Sequence, residues 1–275
     1  MIVNSGRAAF PTDMDVYNRI ARLGPGLMLD VGAAVGRRAK LMLRACPTGE
    51  VWAFEPFPGN WPHFQGVIGD DPRVRLFKAA ASDRAGRERF HVGSVVEPGR
   101  GGRWADLVGY SSVGRLDSAG PPPTRGTTYE VETVVLDELL GDRAVTFAKV
   151  DVQGAETMVL RGLARALAER RIGVMFVEFG GEVEVLNLLA EHFDLYDSQY
   201  VVHVRGDREP DPAEWDIVER RESSKGELRY KGWPRARPDQ DYVRWFDDAN
   251  QRLGFVQCDL VAVRPDLAPL YLAQS

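Results

Sequence analysis

Four carboxylates of this chain stand at the ends of short apolar runs, and the residues beside them decide what chemistry they can do. Asp30 interrupts "LMLDVGAAVG" (27–36), Glu55 ends "VWAFE" (51–55), Asp151 lies two residues past Lys149 in "VTFAKVDV" (145–152), and Glu178 sits in "VMFVEF" (174–179). An acid at a strand tip is placed to accept hydrogen bonds from ligand hydroxyls or to take a proton from an attacking nucleophile. After Asp30 the chain turns through Gly32, Ala33, Ala34, Val35 and Gly36 into a helix-like run, the usual entry to a nucleotide site. A GxGxxG dinucleotide fingerprint begun at Gly32 needs glycine at 34 and 37, where Ala34 and Arg37 stand.

A carboxylate two residues before the first glycine repels a pyrophosphate and suits a ligand that bears an ammonium and a sulfonium group. S-adenosyl-L-methionine is such a ligand. Glu55, nineteen residues after Gly36, is placed for ribose hydroxyls in either kind of site, and the third strand is followed by "AAASD" (79–83), a set typical of an adenine pocket. Each residue also has a plainer reading: Asp30 as a helix N-cap or turn-former, Gly32 and Gly36 as turn glycines, Glu156 as an acid favoured by a helix dipole. Lys149 fits a simple ion pair, Asp151 a helix cap, and Glu178 a ligand to a polar cofactor group. Agreement among several strand tips, more than any one motif, selects a nucleoside site.

The elements that must carry these residues follow from periodicity. Strands are expected at 51–55, 74–79, 145–152, 174–179 and 255–263 besides the opening one. Helices are expected at 13–23, 37–46, over "AETMVLRGLARALAER" (155–170), where Val159, Leu163, Ala166 and Leu167 form a stripe, and over "VEVLNLLAEH" (183–192). Nearly continuous apolar strands alternating with amphipathic helices mean a mostly parallel sheet covered on both faces, an α/β fold. Two stretches break the rhythm: 93–126, rich in Gly, Ser and Pro, and 200–250, polar with Trp215, Trp233 and Trp245. Both read as insertions near a site.

Composition bounds the rest. The 275 residues are 44% hydrophobic and 27% charged, with a formal net charge of −5, which weighs against a nucleic-acid partner. No window reaches the roughly 18 apolar residues of a membrane span and no signal pattern opens the chain, so a cytoplasmic protein without a membrane partner is expected. Cys46 and Cys258 are far apart, and His63, His91, His192 and His203 show no HxxxH or HExxH spacing, so no metal and no disulfide are expected.

With these residues in view, the chain resembles the FkbM family of class I S-adenosylmethionine-dependent methyltransferases. The segments that carry the likeness are "LDVGAAVG", "VWAFEPFPGNWPHF", "KAAASDRAG", "VETVVLDELL", "KVDVQGAETMVLRGL" and "VMFVEF", with "LVAVRPD" as a closing strand. The resemblance implies a Rossmann-like class I methyltransferase sandwich: a seven-stranded, mostly parallel sheet with an antiparallel closing strand and helices on both faces. It implies one methyltransferase domain over 1–275, with an N-terminal helical segment at 1–26, a loop insertion at 93–126, and an insertion at 200–250 that forms part of an acceptor pocket. Carried over by position, it places Asp30, Gly32, Ala33 and Gly36 around the methionine part of the cofactor, Glu55 and Pro56 at the ribose, Ala81, Ser82 and Asp83 beside the adenine, and Asp151 facing methyl group and acceptor. Two departures stand out: the family usually has asparagine where Ala34 stands and glutamate where Gln153 stands, and an amide cannot accept a proton near neutral pH.

The expected reaction is O-methylation of a hydroxyl on a small natural product, a polyketide or sugar moiety, or a glycan. Asp151 and Glu178 are the candidate bases and Lys149 is placed to orient either. Tyr110, Ser112, Gln153 and Trp233 are candidates to touch the acceptor, the tryptophans by stacking or, more plainly, by forming a satellite core. N-methylation, a nicotinamide-dependent reductase and a non-catalytic nucleoside-binding module are the rival readings. Oligomeric state is left open, a homodimer included.

Overall fold

The computed structural model describes residues 10, 12–93, 114–120, 126–198, 200–204, 210–222, 228–232 and 240–273. The chain divides into two compact units, Ile20–Gly173 and a second made of Met1–Arg19 with Val174–Ser275.

The unit Ile20–Gly173 holds β1 (Leu27–Val31), β2 (Glu50–Phe54), β3 (Val74–Phe77), β4 (Ala79–Ser82), β5 (Gly86–Gly93), β6 (Gly114–Leu116), β7 (Gly126–Val135) and β8 (Val145–Val150). β1 pairs in parallel with β8 on one side and β2 on the other, and β2 pairs in parallel with β3. Every residue of β1 is buried, which is what an unbroken apolar run on a two-sided sheet requires. The register sets Asp30 opposite Lys149 on β8 and Ala53 on β2, so the acids and the lysine gather at the carboxyl ends of these strands. The helix Arg37–Ala45 follows the glycine turn and buries Ala39, Met42 and Leu43, one face of its period.

The chain then builds a second sheet. β4 runs parallel to β7, and β5 is antiparallel to both β7 and β6. Residues 79–82, expected to follow the third strand as an adenine-pocket turn, are therefore strand β4, separated from β3 by Lys78 alone. All four are buried, and their small side chains admit a close neighbour: a Cβ added to Gly162 would lie 2.3 Å from the Ser82 carbonyl oxygen. The helix expected over 155–170 is two helices, Glu156–Arg161 and Ala164–Ala168, divided where Asp137 intervenes: its amide donates to the Gly162 carbonyl at 2.9 Å and its carboxylate accepts from the Arg165 and Ala166 amides at 2.7 and 2.9 Å. Within the stretch 93–126, residues 114–120 form β6 and a 3-10 turn, Asp117–Ala119. Ala80, Phe90, Leu116 and Val131 make the small core of this sheet, with Phe57 against Tyr129 at 5.2 Å.

The second unit contains β9 (Ile172–Phe179, from Val174 on), β10 (Asp194–Asp197), β11 (Tyr200–Val204), β12 (Ile217–Glu222), β13 (Leu228–Gly232) and β14 (Gly254–Val263). β14 is the antiparallel closing strand: it pairs with β9, β10 and β11, and β13 joins β11 to β12. The helix Gln240–Arg252 packs on the end of β9, with Phe179 5.3 Å from the rings of both Tyr242 and Phe246. Trp245 lies 5.1 Å from Tyr200, and Trp215 is buried. The described part of 200–250 thus supplies strands, a helix and aromatic packing to this unit's own core. The N-terminal helix Asp13–Asn18 belongs here too, through Tyr17 on Phe176 and the Tyr271 hydroxyl donating to the Val16 carbonyl at 2.7 Å.

Candidate active site

The turn after β1 is fixed by its own neighbours. The amides of Gly32 and Ala33 both donate to the Phe54 carbonyl, at 3.0 and 2.9 Å, Ala34 N donates to Glu55 Oε2 at 2.7 Å, and Gly36 N donates to the Ala33 carbonyl at 2.8 Å. Four amides that a pyrophosphate would need are already committed, which removes the physical basis of a dinucleotide loop. Glycine is required at 32: its φ is +78°, and a Cβ there would lie 1.9 Å from the Asp151 carbonyl oxygen. Ala34 holds φ +47° without a glycine's freedom. Its partner Glu55 is buried, and burial pushes its carboxyl up to about 7 against the pull of the Phe57 and Ala34 amides, the former donating to Oε1 at 2.8 Å.

The segment after β8 braces itself in the same way. Lys149, buried, donates to the Gly32 carbonyl at 2.8 Å and lies 3.2 Å from Asp151 Oδ2 and 3.7 Å from Asp30 Oδ1. Burial pulls its ammonium down, but Asp151 and Asp30 outweigh that and hold it above the ordinary lysine value. Asp30 is fully buried, and burial raises its carboxyl despite Lys149 and the Ala39 amide. Gln153 Nε2 donates to Asp151 Oδ1 at 2.9 Å, while Glu156 accepts from the amides of Val152 and Gly154 at 2.8 and 2.9 Å. Glu156, read from the sequence as a helix-dipole acid, is the clamp of this loop. Arg115 on β6 donates through Nε to the Gln153 carbonyl at 3.2 Å.

These two turns face a solvent-open cavity of about 860 Å³ within the unit Ile20–Gly173. Of the residues singled out in the sequence, the cavity brings together Gly32, Ala33, Glu55, Pro56, Ala81, Lys149, Asp151 and Gln153. Asp30 and Gly36 do not line it: Asp30 is shut beneath the turn, and Gly36 is pressed against the Phe64 ring. Ser82 is buried, and Asp83 sits 3.9 Å from Arg161 and 3.4 Å from Arg84, both outside the lining. Glu178 belongs to the second unit, paired across the ladder with Asp259 on β14. Tyr110, Ser112 and Trp233 lie outside the described residues.

The cavity also uses residues that no local pattern marked. Arg37 and Arg38 line it from the first turn of their helix, and Phe90, Gly114 and Leu116 line it from β5 and β6. A Cβ on Gly114 would lie 2.0 Å from the Phe90 ring, so glycine lets that ring stand against the strand. The basic pair follows directly on Gly36 and was open to notice. The β5–β6 wall was not, because it exists only once a second sheet forms. Among the described residues no group of three His, Cys, Asp or Glu could hold a metal ion, and no helix is long and apolar enough to cross a membrane.

Parallel strands with an internally bonded glycine turn after β1, an acid at the tip of β2, an acid after β8 and an antiparallel β14 define a class I methyltransferase fold. The family model for the methyltransferase FkbM domain matches residues 30–198, and the chain belongs to that family of S-adenosylmethionine-dependent methyltransferases. A curated relative, 2-O-methyltransferase NoeI of Sinorhizobium fredii (strain NBRC 101917 / NGR234), is 30% identical over 157 residues, 53% of this chain and 60% of NoeI. The match therefore spans less than two thirds of that relative's length. Among solved structures, a methyltransferase FkbM from Methylobacillus flagellatus KT is 17% identical with a TM-score of 0.43, covering 75% of this chain and 43% of that one. A precorrin-6y C5,15-methyltransferase from Geobacter metallireducens GS-15 is 11% identical with a TM-score of 0.40, covering 95% and 93%.

The residues present fit the family's cofactor. Glu55, held by the Ala34 and Phe57 amides and the Asn60 side chain, stands at the cavity wall where a ribose hydroxyl can donate to it. Asp30 fits it differently from the sequence reading: shut beneath the turn, it acts on Lys149 and does not reach the cavity.

Proposed function

We propose that this protein methylates a hydroxyl oxygen of a small natural product, a polyketide or sugar moiety, with Asp151 as the base. S-adenosyl-L-methionine supplies an electrophilic methyl group when bound. The observation that carries the reading is the Asp151 carboxylate, partly exposed at the cavity wall with the Lys149 ammonium 3.2 Å away. A hydroxyl is a poor nucleophile and gains from losing its proton as it attacks. An adjacent buried cation keeps the carboxylate ionised and able to take that proton. Phe90 and Leu116 offer an apolar wall against which an acceptor ring can lie. The name of NoeI, a 2-O-methyltransferase, supports oxygen as the target.

N-methylation leans less on a base, and the carboxylate favours oxygen over it. The test is turnover of labelled methyl from S-adenosylmethionine onto a panel of glycan and polyketide alcohols by the wild type, Asp151→Asn and Glu178→Gln. For Asp151→Asn a loss of about 10²-fold to 10⁴-fold in kcat is expected, with S-adenosylhomocysteine bound as in the wild type. Intact turnover in Asp151→Asn with loss in Glu178→Gln moves the base to Glu178, and label found on nitrogen replaces the O-methyl reading.

A further inference from the structure

Among the side chains that hold the base proposed above, one is charged and one is neutral. Lys149 Nζ meets Asp151 Oδ2 at 3.2 Å, and Gln153 Nε2 donates to Oδ1 at 2.9 Å. A donor on each oxygen fixes the plane of the carboxylate. Gln153 reaches this position from a left-handed backbone, φ +57°, a conformation that a long side chain keeps only where its surroundings dictate it. Arg115 Nε donates to the Gln153 carbonyl at 3.2 Å, and Glu156 accepts from the amides on both sides of Gln153, those of Val152 and Gly154. Gly154 follows at φ +99°. Arg115 on β6 and Glu156 on the helix Glu156–Arg161 thus hold the backbone that aims this amide at Asp151.

We propose that Gln153 is a positioning residue for the methyl-transfer base: its side-chain amide aims the Asp151 carboxylate and favours its ionised form without adding charge. The proposal rests on the reading of Asp151 as the base. Because the donor is neutral, it stabilises the anion by hydrogen bonding alone, beside the buried Lys149 ammonium with Asp30 behind it. The other charged groups around the site are Arg115 on β6, Glu156 on its helix, Arg37 and Arg38 on theirs, and Glu55 at the tip of β2. These groups are common to the wild type and to a neutral variant at 153, so the comparison of wild type with Gln153→Met reads the amide against unchanged charges.

Two substitutions separate positioning from mere fold maintenance. Gln153→Glu keeps the length of the side chain and places a carboxylate where the amide stood, so like charge beside Asp151 raises the acid limb of the kcat/KM profile by about one pH unit or more. Gln153→Met keeps the volume and removes the donor. A fall of about tenfold in kcat with KM unchanged is expected, with a smaller shift of the limb than in Gln153→Glu. Both variants are expected to bind S-adenosylhomocysteine in calorimetry as the wild type does, which also reports that they fold. Wild-type pH profiles and kcat in both variants overturn the proposal, as does a loss confined to KM. If Asp151→Asn itself keeps full turnover, the reading of the base fails first. If Asp151→Asn is inactive while Gln153→Glu behaves as wild type, the role of Gln153 alone fails.

Discussion

Replacing Glu55 by glutamine is expected to remove a pH dependence of stability whose size follows from the structure. The Glu55 carboxyl has an ordinary value of 4.5 and is pushed up to about 7 in the fold by burial. A folded value above the unfolded one means that the native state binds the proton more tightly. The stability this confers is fully present below about pH 4.5 and is lost as pH rises through about 7. Integrated between about pH 5 and pH 8, the difference amounts to about 2.5 kcal/mol. Glutamine keeps one acceptor oxygen and turns an NH2 donor toward the other of the Ala34 and Phe57 amides, so the variant is expected about 1 to 3 kcal/mol below the wild type at pH 5. At pH 8, where the wild type carries a buried anion, Glu55→Gln is expected to gain by up to about 2.5 kcal/mol relative to that starting point. Asp30 is raised by burial as well and adds a slope of the same sign to both proteins, so the difference between the two isolates Glu55. Urea unfolding of wild type and variant across pH 5 to 8 is the assay, and parallel stability curves would refute the reasoning.

Two further outcomes follow from the same geometry. Ala34 stands at φ +47°, where asparagine is favoured and alanine is strained, so Ala34→Asn is expected to raise stability in urea by about 0.5 to 1 kcal/mol without loss of its amide bond to Glu55; destabilisation would show that the turn wants alanine for another reason. Lys149→Met leaves the Asp30 carboxylate buried with its cation gone, and a loss of about 3 kcal/mol or more is expected at pH 8, shrinking toward pH 5 as Asp30 takes up its proton; a loss independent of pH would mean that packing, not charge, is what Lys149 provides.

The strands that carry the chemistry were legible because they are buried on both faces. "LMLDV", "EVWAF" and "VTFAKV" are almost unbroken apolar runs, and the acids that interrupt or follow them stand out against that background. The second sheet was not legible, for the opposite reason. β7, "GTTYEVETVV", exposes most of its length, and β5 begins "GRER", so neither carries an apolar run strong enough to compete with a loop reading. The division of the helix at Gly162 depends on Asp137, whose amide and carboxylate take up the Gly162 carbonyl and the Arg165 and Ala166 amides from outside any local window. At the site, Glu55 and Asp151 drew notice as acids at strand tips, and the cavity brings both together. The braces were harder to see. Glu156 shows only as an acid in a first helical turn, and Arg115 comes to Gln153 through β6, a strand that pairs only within the second sheet. Asp30 drew attention as a ligand contact, yet a fully buried carboxylate beside Lys149 has an internal partner and no path to a ligand.

The claim on which the rest depends is that the turn after β1 and the Glu55 carboxylate bind the nucleoside of S-adenosylmethionine and not a dinucleotide. Calorimetric titration of the wild-type protein with S-adenosylhomocysteine and, separately, with NADH tests it directly. Saturable binding of S-adenosylhomocysteine with no heat from NADH is expected, because the amides of Gly32, Ala33, Ala34 and Gly36 are already bonded within the protein; saturable binding of NADH alone would contradict it.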